Sequence, residues 1–276
     1  MKYYNKHREI RQLFLLLTVF LISGCSSKIE ESEQNPTIEK SSVKMEDLKY
    51  MLNQWGSSFI QKIDSGYIAS VNFKLTNSPL QYNISFHNKS YKIIPKVIDS
   101  VNFTYESSLK HYNKVFNGVM TALTSMGQAS PADPIPLIPE LHKAVTDNLL
   151  NDFLFFSQRF FNRTPYDRVQ LGLENSRIVH GGHAIPIFYQ KTKDIGVRSA
   201  WYQINKGEQV NEQGNTNPFP QYFIITKGSG YTKIGNDTIS INENEAYFVP
   251  PYHDHVFWNE SEEPLIMIFL AWGKGA

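Results

Sequence analysis

From Val169 onward the chain is almost entirely short β-forming runs, and this limits the fold more than any other feature. The runs span 178–180, 184–189, 197–204, 222–226, 230–234, 238–241, 246–249, 256–258 and 265–271, with Gly, Asn and Pro between them. Strands this short and this evenly punctuated close on themselves as a sandwich or jelly-roll barrel. The first half has a different rhythm. Met45, Leu48, Leu52, Trp55, Phe59 and Ile63 recur at helical spacing, and then 67–75 alternates with period two. Asn77-Ser78-Pro79 breaks that strand and 80–86 returns as the second arm of a hairpin. Strand-like runs at 91–98 and 100–105 follow, and 106–126 goes back to helical spacing. Helix, antiparallel strands and helix make an α+β domain. The predicted architecture is an α+β domain over 45–128 followed by an all-β jelly-roll barrel over 169–276.

Residues 129–168 join the two. Pro131, Pro134, Pro136 and Pro139 each fix φ and disfavour helix before them, so this stretch predicts a semi-extended connector. Beyond it, 140–161 predicts a helix whose second half (Leu149, Leu150, Phe153, Leu154, Phe155, Phe156, Phe160, Phe161) is apolar nearly all round. Such helices are buried between layers. A lid over an apolar cavity, or a face lying on a membrane, is the sharper alternative.

The chain opens with basic residues (Lys2, Lys6, Arg8, Arg11), an apolar run at 13–22, and the small pair Ser23-Gly24 ahead of its single cysteine, Cys25. That order predicts a secretory signal. The run is too short to span a bilayer, which takes about 20 residues. Ile22-Ser23-Gly24-Cys25 resembles the lipobox of bacterial lipoproteins, which implies cleavage before Cys25 and acylation of its sulfur. The partner so implied is a membrane of the cell envelope, the outer one in a Gram-negative cell because Ser26 is not aspartate. Residues 25–44 are polar and predict a tether. Without residues 1–24 the chain keeps 23 basic and 25 acidic side chains. That balance lacks the basic footprint of a nucleic-acid partner. With Cys25 lipidated no thiol is left for disulfides, so hydrophobic cores must hold the fold; 41% hydrophobic residues, aromatics among them, suffice.

Two further resemblances carry expectations. The order of elements over 45–128, with the strand Asp99-Ser-Val-Asn-Phe-Thr-Tyr and the segment Phe116-Asn117-Gly118, resembles the sterol carrier protein fold. That likeness implies a tunnel for a long apolar molecule. Over 170–275, Asn244-x5-Pro250-x4-His255-x3-Asn259 resembles the second motif of the cupin family, with asparagine for its leading glycine. Gly207, Asn215-Thr-Asn217, Gln221 and Gly228 lie in register with the first motif. Phe223-Ile-Ile-Thr-Lys-Gly-Ser-Gly-Tyr is similar to the strand, turn and strand at the middle of a cupin. The likeness implies a barrel whose mouth receives His255, and pairing of two copies through barrel edges.

The departures from that family decide the expected function. A metal-bearing cupin would carry histidines at 215 and 217 and a carboxylate at 221; this chain has Asn215, Asn217 and Gln221. Amide oxygens are weak neutral ligands, and no carboxylate offsets a dication. His253 sits two residues before His255 but in a turn that faces solvent, and His180 and His183 bracket a Gly-Gly turn. The expectation is no metal and no other cofactor. The candidate ligand-binding residues are Arg198, Tyr202, Asn215, Asn217, Gln221, Phe223 and His255, with Trp201 on the opposite strand face as a core anchor and Asn259 structural. A non-catalytic binder of a small, partly apolar molecule fits this set. The alternatives are a cupin enzyme (isomerase, lyase or dioxygenase) using His255, and a structural or interaction lipoprotein.

Overall fold

The computed structural model describes residues 47–127, 134–142, 146–191 and 195–276. The signal segment, Cys25 and the tether lie outside the described residues. No helix among the described residues is long and apolar enough to cross a membrane.

The first domain begins with α1 (Leu48–Phe59), capped by the Asp47 carboxylate, which accepts from Tyr50 N at 2.7 Å. Its buried face is Leu48, Met51, Leu52, Trp55 and Phe59. Strands β1 (Ala69–Leu75), β2 (Gln81–His87) and β3 (Ser90–Ile94) form the expected meander. The next strand, β4 (Phe103–Ser107), does not continue it. The chain crosses back and lays β4 parallel to β1, and β5 (Leu137–Leu141) then pairs antiparallel with β4, for a sheet order of β3-β2-β1-β4-β5. A buried amide pins the crossover. Asn72 Nδ2 donates to Ile98 O at 2.9 Å, and Ile98 N donates back to Asn72 Oδ1 at 3.2 Å.

Two predicted helices prove shorter than their apolar spacing suggests. The span 106–126 divides into α2 (Leu109–Phe116) and α3 (Ala122–Met126), because Gly118 takes φ +71° and both Ser108 and Thr121 act as N-caps. The span 140–161 starts as the last residues of β5, and α4 (Asp147–Arg159) follows only after Thr146 caps it. The proline-rich segment is therefore not simply a connector. Its end is an edge strand of the first sheet, where the missing N–H of Pro139 is tolerated. Nor does α4 belong to a linker: Phe153, Phe156 and Phe160 are buried in the first domain's core.

That core is aromatic and filled. Trp55, Phe59, Phe73, Phe86, Phe103, Tyr105, Phe156 and Phe160 touch one another ring to ring, with Phe156 and Phe160 stacked at 4.5 Å. These rings occupy the space between sheet and helices that a lipid tunnel would need.

The second half is the all-β barrel the sequence predicts. Strands β6 (Arg177–Val179), β7 (Gly182–Lys191), β8 (Gly196–Ile204), β10 (Gln221–Lys227), β13 (Ala246–Val249) and β15 (Leu265–Gly273) make one sheet, ordered β13-β10-β15-β8-β7-β6. Strands β9 (Gln209–Val210), β11 (Ser229–Ile234), β12 (Asp237–Asn242) and β14 (His255–Trp258) make the other, ordered β12-β11-β14-β9. Ile204, Val210, Phe219, Phe223, Phe257, Met267 and Phe269 fill the space between them. Asn244, standing where the resembled motif has glycine, adopts φ +68°, a conformation asparagine tolerates better than other side chains. Asn259 is structural, as expected: its Nδ2 donates to Ile204 O and Glu263 O, and its Oδ1 accepts from Ser261 N.

The halves meet along β7. Beyond Ala184 this strand has no β6 partner, and Pro186 falls in that open stretch. Gln158 of α4 closes part of the edge as a neighbouring strand would. Its Oε1 accepts from Tyr189 N at 3.0 Å and its Nε2 donates to Tyr189 O at 2.8 Å.

Candidate functional site

A cavity of about 220 Å³ occupies the barrel mouth. Its walls are strands β7, β8, β10, β14 and β15, and Leu123, Met126, Phe153 and Leu154 of the first domain line its far side. Of the residues the sequence nominates, Arg198, Tyr202, Asn217, Gln221, Phe223 and His255 all line it. Asn215 does not: its backbone N–H bonds Glu212 O in the preceding loop and its side chain is half-buried outside the cavity. Trp201 is buried, on the strand position between Ala200 and Tyr202 and away from the lining.

Each polar group in the cavity is placed by the barrel. Gln221 opens β10 between Val249 of β13 and Ala271 of β15, and is 1% exposed. Its Oε1 accepts from Asn217 Nδ2 at 3.4 Å, while its Nε2 has no partner among the described residues. His255 opens β14 and is also buried. Its Nδ1–H donates to His253 O at 3.2 Å, which leaves Nε2 without a proton in the neutral ring. Burial pushes the His255 imidazole below its ordinary range, partly opposed by the His253 carbonyl and Asp254. Phe223 packs its ring between His255 at 5.7 Å and Phe269 at 5.3 Å.

Arg198 lies on β8, paired with Tyr189 on one side and Ala271 on the other. Its guanidinium carbon stands 4.7 Å from the centre of the Phe219 ring, a cation–π contact. No carboxylate lies within ion-pair reach of it among the described residues, and its buried Nε has no partner. Burial lowers the guanidinium's pKa, with Tyr189 and Tyr202 pulling the other way. Some of its surface remains accessible, and it contributes to the cavity wall.

His180 is the site residue that sequence treats only as a metal candidate. It takes φ +54° in the tight turn between β6 and β7. The next residue must be glycine: at Gly181 φ is +90°, and a Cβ would come within 2.2 Å of Gln209 O. This turn puts the His180 ring at the cavity, its Nε2 buried without a partner among the described residues. Burial, then His255 and Arg198, push its imidazole down to about 4, so it is neutral at physiological pH. The signal that could have found it is the His180-Gly-Gly turn itself, which lets backbone pack tightly and aims the preceding side chain inward.

The donor set does not fit a resident transition metal. No group of three His, Cys, Asp or Glu side chains among the described residues could hold one. His183 bonds Ser176 and approaches Glu208 outside the cavity, and His253 is exposed. Two neutral imidazoles and three amides (Asn211, Asn217 and Gln221) carry no negative charge, and Arg198 adds a positive one beside them. A dication placed there would be uncompensated and repelled.

No protein-family model matches the chain, and no curated protein matches it. Solved structures do show similarity. A Cupin 2 conserved barrel domain protein from Salinispora arenicola is 17% identical over 39% of this chain and 88% of its own, with a TM-score of 0.34. A double-stranded β-helix domain protein from Klebsiella pneumoniae is 15% identical over 40% and 92%, with a TM-score of 0.32. The Cnp3 cupin domain from Schizosaccharomyces pombe is 12% identical over 40% and 77%, with a TM-score of 0.32. Likeness at this level says nothing about activity, which rests on the residues in the cavity.

Proposed function

We propose that this chain is a membrane-tethered, non-catalytic binding protein that holds a small, partly apolar molecule in the barrel mouth. The observation that carries the reading is the cavity itself: set in the barrel mouth, walled by Phe153, Leu154, Phe223 and Phe269, and furnished with a few convergent polar groups. Binding sites for small molecules have this composition. The cupin resemblance is consistent with it, and the lost metal-ligand set argues against the metal chemistry of the enzymatic alternative. Cys25, acylated after signal cleavage, would hold the protein at the membrane; lipid with two or more chains anchors stably where one is marginal.

Native mass spectrometry tests both parts. Protein carrying Cys25→Ser should stay out of the detergent phase and release a stoichiometric small molecule on denaturation, with far less than one metal per chain. Partition into detergent despite the substitution would remove the tether. A stoichiometric metal that His255→Ala abolishes would replace the binding reading with the enzymatic one.

A further inference from the structure

We infer that the cavity's occupant is a monocarboxylate with a compact apolar body, its carboxylate facing Arg198. The inference rests on the binding function proposed above and narrows it to one chemical class. Seven buried side-chain nitrogen or oxygen atoms among the described residues lack a partner, and three of them (His180 Nε2, Arg198 Nε and Gln221 Nε2) belong to residues lining this one cavity. Leaving such a group unsatisfied is costly, and more so for a charged one. Two of the three are fixed as donors: the guanidinium N–H and the amide N–H. Both ask for an acceptor, and the guanidinium asks for a negative one.

The charge count selects among anions. Arg198 is the only charged side chain lining the cavity among the described residues, because both imidazoles are held below their usual range and the amides are neutral. One guanidinium balances one negative charge. A phosphate dianion would bring a second charge into walls made of Phe153, Leu154, Phe223 and Phe269. A carboxylate brings one, and its two oxygens match the fork of a guanidinium. Size bounds the rest of the molecule. A dry cavity of about 150 Å³ accepts a benzene. The 220 Å³ here therefore has room for one ring, or a short alkyl chain, and a carboxylate.

The test is calorimetric titration of the full chain carrying Cys25→Ser with two pairs of probes, benzoate against benzamide and hexanoate against hexanamide. Each pair keeps the apolar body and removes the charge, so the wild-type comparison needs no cavity variant. The acids should bind at least tenfold tighter than their amides, and Arg198→Met should abolish that preference. Amides that bind as well as the acids would overturn the inference and leave the binding function standing. Silence from all four probes would also overturn it, and the binding function would then be decided by whether the native protein releases a small molecule.

Discussion

At the scale of single residues, the site is governed by groups kept neutral and one kept charged. His180 gives this a measurable consequence. Its folded-state pKa is depressed to about 4 from an ordinary 6.5. As acid is added, the unfolded chain takes up this proton first, so stability is intact above about 6.5, declines between there and about 4, and levels off below. The full effect is on the order of 3 kcal/mol. Replacing His180 with Gln should flatten the decline in urea-unfolding stability over that window by up to this amount. An unchanged slope would mean the ring is not held neutral in the fold. Sequence reached most of these residues because strand alternation puts Arg198 and Tyr202 on one face and the resembled motif aims His255 inward. It misplaced Asn215, since a loop residue has no period to fix its direction. It did not assign His180 to the ligand site: the His180-Gly-Gly turn was the available signal, and its packing against Gln209 shows what that turn is for.

At the scale of elements, the junction between the halves depends on α4 acting as a surrogate strand. Gln158 satisfies both backbone groups of Tyr189, which is 8% exposed and has no strand neighbour on that side among the described residues. Gln158→Leu keeps the bulk and removes both bonds, leaving a nearly buried N–H and C=O unpaired. The expected loss is about 1–3 kcal/mol, and faster hydrogen exchange at the Tyr189 amide would report it directly. If that amide exchanges at the wild-type rate in the variant, Gln158 is not what protects it. The same element shows where local pattern falls short. Leu137, Pro139 and Leu141 alternate with exposed Ile138 and Glu140, a legible strand signal that the flanking prolines masked. The parallel pairing of β4 with β1 was less accessible still, because periodicity describes a strand's faces and says nothing of its neighbours. What was legible, the barrel's many short strands and the α+β order before them, came from features contained within each run.

At the scale of the whole molecule, the cavity belongs to both halves, and this sets how a bound molecule should act. Phe153 and Leu154 line it from α4 while also sitting in the first domain's aromatic core. Arg198 and Tyr202 line it from β8, in the sheet whose open edge α4 covers. A ligand that touches both walls binds only when both are in place, so it stabilises their joint state. At a ligand concentration of 100 times Kd the gain is about 2.7 kcal/mol. Hydrogen exchange with saturating benzoate should therefore slow amides in α4 and in β8 together. Arg198→Met should cancel both effects at once, because the molecule that couples them is no longer held. Protection confined to barrel strands would place the ligand away from α4 and make the first domain a bystander. Slowing in both, lost in both by a substitution on one strand of the barrel, is the pattern that a shared cavity requires and that two independent domains cannot produce.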